Sequence, residues 1–172
     1  MLNMRLRNLL IVFGTVLTLA TPPGAAPMVP ERPRLTAEQR TLRDLSEVKL
    51  DVFPLAEDLT EAGMTHEGLR KAFTKTAESA GLKIVDADDV PMARLVIFAS
   101  KNPQQPDALA LTFILAIHQR IAVKRLNEDF KAPTAFFTQT RLTTLEDAER
   151  LVEWELRTMT RRVMKIVNRA SE

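Results

Sequence analysis

The sequence predicts an α+β domain: a mostly antiparallel sheet of four to five strands with two main helices on one face, in the order β-α-β-β-β-β-α. Three observations lead there. Two stretches, around 65–81 and 144–170, carry apolar residues at helical spacing. Several segments outside them alternate apolar with polar residues or run compactly apolar, as strands do. The two longest strand candidates are joined by a short polar turn containing Pro133, too short for a parallel crossover, so they pair antiparallel. Helices packed on one sheet face give a two-layer sandwich.

Before the domain, residues 1–26 read as an export signal. Arg5 and Arg7 form a basic start, the uncharged run Leu9 to Ala20 follows, and Pro22-Pro23-Gly24-Ala25-Ala26 closes the segment. The 12 residues from Leu9 to Ala20 span roughly 18 Å as a helix, short of a hydrocarbon core of roughly 30 Å. The expected product is exported, periplasmic or secreted, with no stable membrane anchor after cleavage; the alternative is an inner-membrane tether through an uncleaved signal. The chain has no cysteine, so it lacks the residue a lipid anchor needs and forms no disulfide. Residues 27–35, rich in proline, read as a disordered linker, and 36–172 as a single domain.

Within that domain, Thr36 to Gln39 has capping-box spacing and opens a short helix. Val48, Leu50 and Val52 alternate with Lys49 and Asp51 in a half-buried strand ended by Pro54. Thr65 caps the first main helix, whose stripe is Leu69, Ala72, Phe73, Thr76, Ala77 and Ala80, and Gly81 supplies its left-handed stop. Leu82–Val85 and Arg94–Ala99 are shorter strands. Leu109–Arg125 is the longest, with apolar odd positions broken at Gln119, where a bulge is expected; Thr134–Leu142 is its partner. The last helix, from about Thr144 to Ala170, is expected to start at a Thr143/Glu146 capping box. It buries Leu145, Ala148, Val152, Leu156, Met159, Val163 and Ile166.

Charge narrows the partners. The chain carries 24 Lys+Arg against 22 Asp+Glu, and without Arg5 and Arg7 the balance is 22 against 22. A neutral domain of this kind argues against nucleic acid as a partner. Five glycines, none clustered, exclude a glycine-rich phosphate cradle.

Trp154 is the sharpest candidate binding residue. It lies roughly 160° around the last helix from the centre of the apolar stripe at 100° per residue, with Arg150, Arg157, Arg161 and Lys165 on its face. An exposed indole among cations docks a protein, an anionic glycan or a lipid headgroup; the plainer alternative is that it packs beneath arginine stems. His118, Arg120 and Lys124 form a second candidate surface on the polar face of the long strand. His118 as a base needs a nucleophile and an orienting carboxylate, and the sequence shows no serine in a tight glycine-flanked turn and no cysteine. His66 reads as a surface residue. Neither histidine has metal-ligand spacing, and Asp86-Ala87-Asp88-Asp89 lacks the glycine and distal glutamate of a calcium loop. No catalytic residue, metal site or cofactor is assigned.

Val48–Val52, the Ala80-Gly81-Leu82 helix end, the long strand ending near Lys124-Arg125 and the terminal helix together resemble small exported bacterial proteins of an uncharacterised family. More loosely, the layout is similar to periplasmic envelope-assembly and transport accessory domains. The resemblance implies an exported α+β domain and no activity. The expected function is therefore non-enzymatic binding of an envelope protein partner. The alternatives are a small-ligand binder in a groove between the long strand and the final helix, and a hydrolase or isomerase using His118.

Overall fold

The computed structural model describes residues 34–172, so the expected signal and most of the linker lie outside the described residues. Along the chain it contains α1 (Ala37–Arg40), β1 (Glu47–Val52), α2 (Glu57–Glu61), α3 (His66–Ser79), β2 (Lys83–Ile84), β3 (Met92–Asn102), β4 (Gln105–Val123), β5 (Glu128–Thr144) and α4 (Ala148–Ser171). The fold is α+β with the expected order of main elements; α2 is an additional short turn of helix.

The five strands form one sheet in the order β2-β1-β3-β4-β5. It is mostly antiparallel, as expected, with a parallel part at β1. β1 runs parallel to both β2 and β3, whereas β3–β4 and β4–β5 are antiparallel. The reason is α3, which carries the chain back so that β2 re-enters beside β1 in the same direction.

Strand alternation sends one face of the sheet inward. Leu50 stands opposite Ala93, and Leu95 opposite Leu115, which in turn faces Phe137. All five are buried, together with Phe113 and Ile117. Leu69, Phe73 and Ala77 of α3 and the stripe of α4 pack against them in one core. The buried arc of α4 is wider than expected. It takes in Glu155, Thr160, Met164 and Val167 as well as Ala148, Val152, Leu156, Met159 and Val163 of the predicted stripe, because the helix meets both α3 and the sheet; Leu145, which precedes the helix, and Ile166 are only partly buried.

Local chemistry sets the element ends. The α1 capping box forms as expected, Thr36 Oγ1 accepting from Gln39 N and Gln39 Oε1 from Thr36 N, each at 3.1 Å. Thr65 Oγ1 accepts from Gly68 N at 3.0 Å and opens α3. At its other end Gly81, with φ +91°, lets Leu82 N reach Ala77 O (2.9 Å) and its own N reach Glu78 O (3.0 Å), the paired bonds of a Schellman stop. The α4 start differs from expectation. Thr143 and Thr144 still belong to β5, the N-cap is Asp147, and Thr144 Oγ1 accepts from Asp147 N at 3.3 Å. Pairing with β4 holds the two threonines extended, and this displaces the helix start.

β4 and β5 are longer than predicted and run past the end of β3, which stops pairing at Met92 opposite His118. Beyond that point they form a two-stranded arm. The irregularity falls between Ile117 and His118, close to the predicted position, where Ala135 and Pro133 are the successive partners and Thr134 is skipped. Pro133 therefore lies inside β5 and not in the turn, tolerated because a bulge needs no ladder donor there.

Gly81→Ala is expected to cost about 1 kcal/mol in urea unfolding with an unchanged slope. Open space surrounds the position, the nearest atom to an added Cβ being Met164 Cε at 4.0 Å, so the loss reports backbone strain.

Candidate functional site

Two regions outside the core concentrate polar or aromatic groups, and they lie on opposite sides of the sheet.

The first is the sheet face turned away from the helices. Even positions of β3 and β4 point there, so register defines its rows. Arg94 stands between Asp51 and Ala116, which faces Phe136; Val96 faces Ile114, and Phe98 faces Thr112. Phe98 is 55% and Phe136 54% exposed, so no layer of the described residues covers this face. Val96, Phe98, Ile114 and Phe136 make an apolar strip across it. Ala116 is buried in spite of its outward position because longer neighbours, Arg94 and Phe136, flank it.

One end of the strip is charged. Arg94 Nε donates to Asp51 Oδ2 at 2.7 Å. Lys49 bridges Asp86 (3.2 Å) and Asp88 (2.7 Å), and those two bonds hold its pKa above the usual lysine value. Lys131 donates to the Asp88 carbonyl. The acidic turn around Asp86 thus folds onto lysines of β1 and β5.

His118 sits in this region opposite Met92. Partial burial first, and then the Arg94 charge, push its pKa below the usual 6.5, with Asp51 opposing weakly. Its ring has no hydrogen-bond partner among the described residues, and the Asp51 carboxylate that a catalytic histidine would need is bonded to Arg94. Arg120 lies one alternation further along β4, on the arm. Lys124, expected in the strand, is in the turn after it, because β4 ends at Val123. His66, exposed, holds the Val52 carbonyl through Nε2 at 2.8 Å.

The second region is centred on Trp154, which is 49% exposed. The cation over its ring is Arg141 of β5, whose guanidinium carbon is 5.6 Å from the ring centroid. Arg141 Nε also donates at 3.0 Å to Oε2 of Glu155, a residue only 1% exposed. With its amide oxygen turned toward the guanidinium, Gln139 accepts from Nη1 at 2.7 Å and Nη2 at 3.3 Å. One arginine therefore neutralises a buried acid and covers an indole carried by the adjacent helix residue.

The residues predicted to share one surface with Trp154 are divided. Trp154 and Arg150 line a cleft of about 300 Å³ with Thr143, Asp147 and Leu151, and Arg150 Nη2 is paired with Asp147 at 2.8 Å. Arg157 and Arg161 line a different cleft, of about 340 Å³, between α3 and α4 with Lys75 and Glu153. Arg141 and Glu155 escaped sequence reasoning. One signal was available: at 100° per residue Glu155 falls beside Ala148 and Met159 within the apolar arc, where a carboxylate needs a cation. Nothing local pointed to Arg141, which is 14 residues away in a strand.

No protein-family model and no curated protein matches the chain. Three solved structures show distant likeness. The crystal structure of a minor lipoprotein from Acinetobacter baumannii gives a TM-score of 0.41 at 12% identity, covering 73% of this chain and 92% of that one. The rare lipoprotein B from Shewanella oneidensis gives 0.31 at 18%, covering 69% and 91%. The solution structure of an uncharacterized lipoprotein B from Nitrosomonas europaea gives 0.31 at 12%, covering 77% and 87%. Scores this low leave the functional reading to the chain's own residues. No helix among the described residues is long and apolar enough to cross a membrane.

Two outcomes test these assignments. Arg141→Met strands the Glu155 carboxylate and is expected to cost about 3 kcal/mol by urea unfolding. The Arg141→Met/Glu155→Met double variant recovers most of that loss, giving a coupling that a double-mutant cycle reads directly. For His118, the lowered folded pKa means the unfolded chain takes the proton first. The resulting penalty is absent well above pH 6.5, grows as pH falls below it, and levels off beneath the lowered folded value. Between about pH 7.5 and about pH 5, the thermal midpoint of His118→Gln should fall less than that of the unaltered protein.

Proposed function

We propose that this protein is a non-enzymatic binding domain of the cell envelope that docks a protein partner on its uncovered sheet face. One observation carries the reading: Val96, Phe98, Ile114 and Phe136 form an apolar strip on a face that no layer of the described residues covers. A sheet with one solvated face normally shows polar residues there. Grouped phenylalanines on such a face mark a contact surface. Export, expected from residues 1–26, supplies the compartment.

Charge indicates the rim of the partner. On the adjoining arm Arg120, Lys124, Arg125 and Lys131 outnumber Glu128 and Asp129, which favours an acidic border around apolar anchors. Trp154 is a weaker anchor, because Arg141 already occupies one face of its ring.

A photo-crosslinking residue placed at Phe98 or Phe136 in cells is expected to yield one discrete adduct, absent when the probe replaces Lys71 on α3. Ile114→Lys should reduce the Phe98 adduct about tenfold, the equivalent of roughly 1.4 kcal/mol, while Trp154→Ala leaves it unchanged. Equal labelling from all three positions, or no adduct at the sheet positions, overturns the reading.

A further inference from the structure

The outer margin of the sheet is unevenly protected. At one side the margin is β2, only two residues long. At the other it is the 17-residue β5. The first part of β5 is guarded by α1: Glu38 Oε1 accepts from Phe136 N at 2.7 Å, and Thr41 Oγ1 lies against the Thr134 carbonyl at 3.5 Å.

That guard shows which way the backbone faces. Since Phe136 N points away from β4, the strand alternation turns the main-chain groups of Thr138, Thr140 and Leu142 outward as well. By that alternation the three amides stand outside the β4–β5 ladder. Their residues are exposed, Leu142 at 81%. The segment Thr138-Gln139-Thr140-Arg141-Leu142 has none of the usual protections of an edge: no lysine, no proline, and one charge already bound by Glu155 of its own chain.

We infer that β5 pairs along this edge with β5 of a second copy, antiparallel about a twofold axis through Thr140. This axis places Thr140 opposite itself and Thr138 opposite the partner's Leu142, so every outward amide meets an outward carbonyl. No like charges are opposed, because Arg141 falls opposite the partner's Gln139. A Thr–Thr pair at the axis favours strand association, and the sequence is self-complementary only when the two strands run antiparallel. The half-exposed Trp154 and its cleft, which reaches Thr143, lie alongside as an aromatic border. Pairing joins two five-stranded sheets into one.

The absence of cysteine makes the test direct. In the full-length protein, Thr140→Cys introduces one thiol, which at a hydrogen-bonded pair lies about 5.5 Å from its symmetry mate between Cα atoms, within disulfide reach. Mild oxidation is expected to convert most of it to a covalent dimer, with Thr144→Cys giving less than about a tenth as much. Thr140→Pro deletes an outward donor and no backbone bond to β4, losing on that side only the exposed hydroxyl contact between Thr140 and Thr112 (3.1 Å). By sedimentation it should weaken the dimer at least about tenfold, with the circular dichroism spectrum retained. An unaltered protein that stays monomeric on the order of 100 µM overturns the inference. So does a dimer unaffected by Thr140→Pro while the fold is intact, or a Thr140→Cys thiol that links to a different protein and not to its own copy.

Discussion

The register of β4 is the constraint on which this molecule depends. It is the strand that pairs with both β3 and β5, so its alternation fixes which side chains of three strands face the helices. Leu109, Leu111, Phe113, Leu115 and Ile117 go inward and bring Leu95 and Phe137 with them. A slip of one residue on either side would turn Phe98, Phe136 or Val96 into the core and expel their neighbours. The bulge at Thr134 matters for the same reason. It absorbs one residue where Pro133 cannot donate, and the pairing of the core region is left undisturbed.

Burying only one face has consequences on both sides. On the helix side, α4 has two neighbours to satisfy, and its buried arc is wide enough to include an acid. Glu155 is tolerated there because Arg141, at an inward position of β5, meets it at 3.0 Å. A buried ion pair adds little over an apolar pair of equal size, but it penalises any arrangement in which either partner is missing. The pair therefore helps to specify how α4 lies against β5, and the indole of Trp154 shields the exposed side of the guanidinium.

On the other side, nothing compensates the apolar strip. Its grouped side chains, the charged end around Arg94 and Lys49, and the bare stretch of β5 all belong to surfaces that the described chain leaves open. The strip suits docking by side chains and the edge suits docking by backbone. These are separate modes of recognition, so one surface can be occupied without the other.

Much of the fold was legible in the sequence because it rests on short-range rules. Helix spacing located α3 and α4, Thr36 and Thr65 cap as their chemistry requires, Gly81 adopts the left-handed conformation, and alternation identified the inward positions of β1 and β4. The candidate site was less legible. Trp154 was rightly placed off the core stripe, but its cation comes from β5, because helix neighbours such as Arg150 were closer to other partners. His118 was assigned to the outward face, yet its neighbours Arg94 and Asp51 come from two other strands. The parallel placement of β1 between β2 and β3, the bare edge of β5 and the Arg141–Glu155 contact likewise depend on pairings between distant segments. The sequence by itself determined the elements, their caps and their buried sides, since those are decided within a few residues. Only the tertiary structure decided which strands became neighbours, and with that which charges met and which surface stayed uncovered.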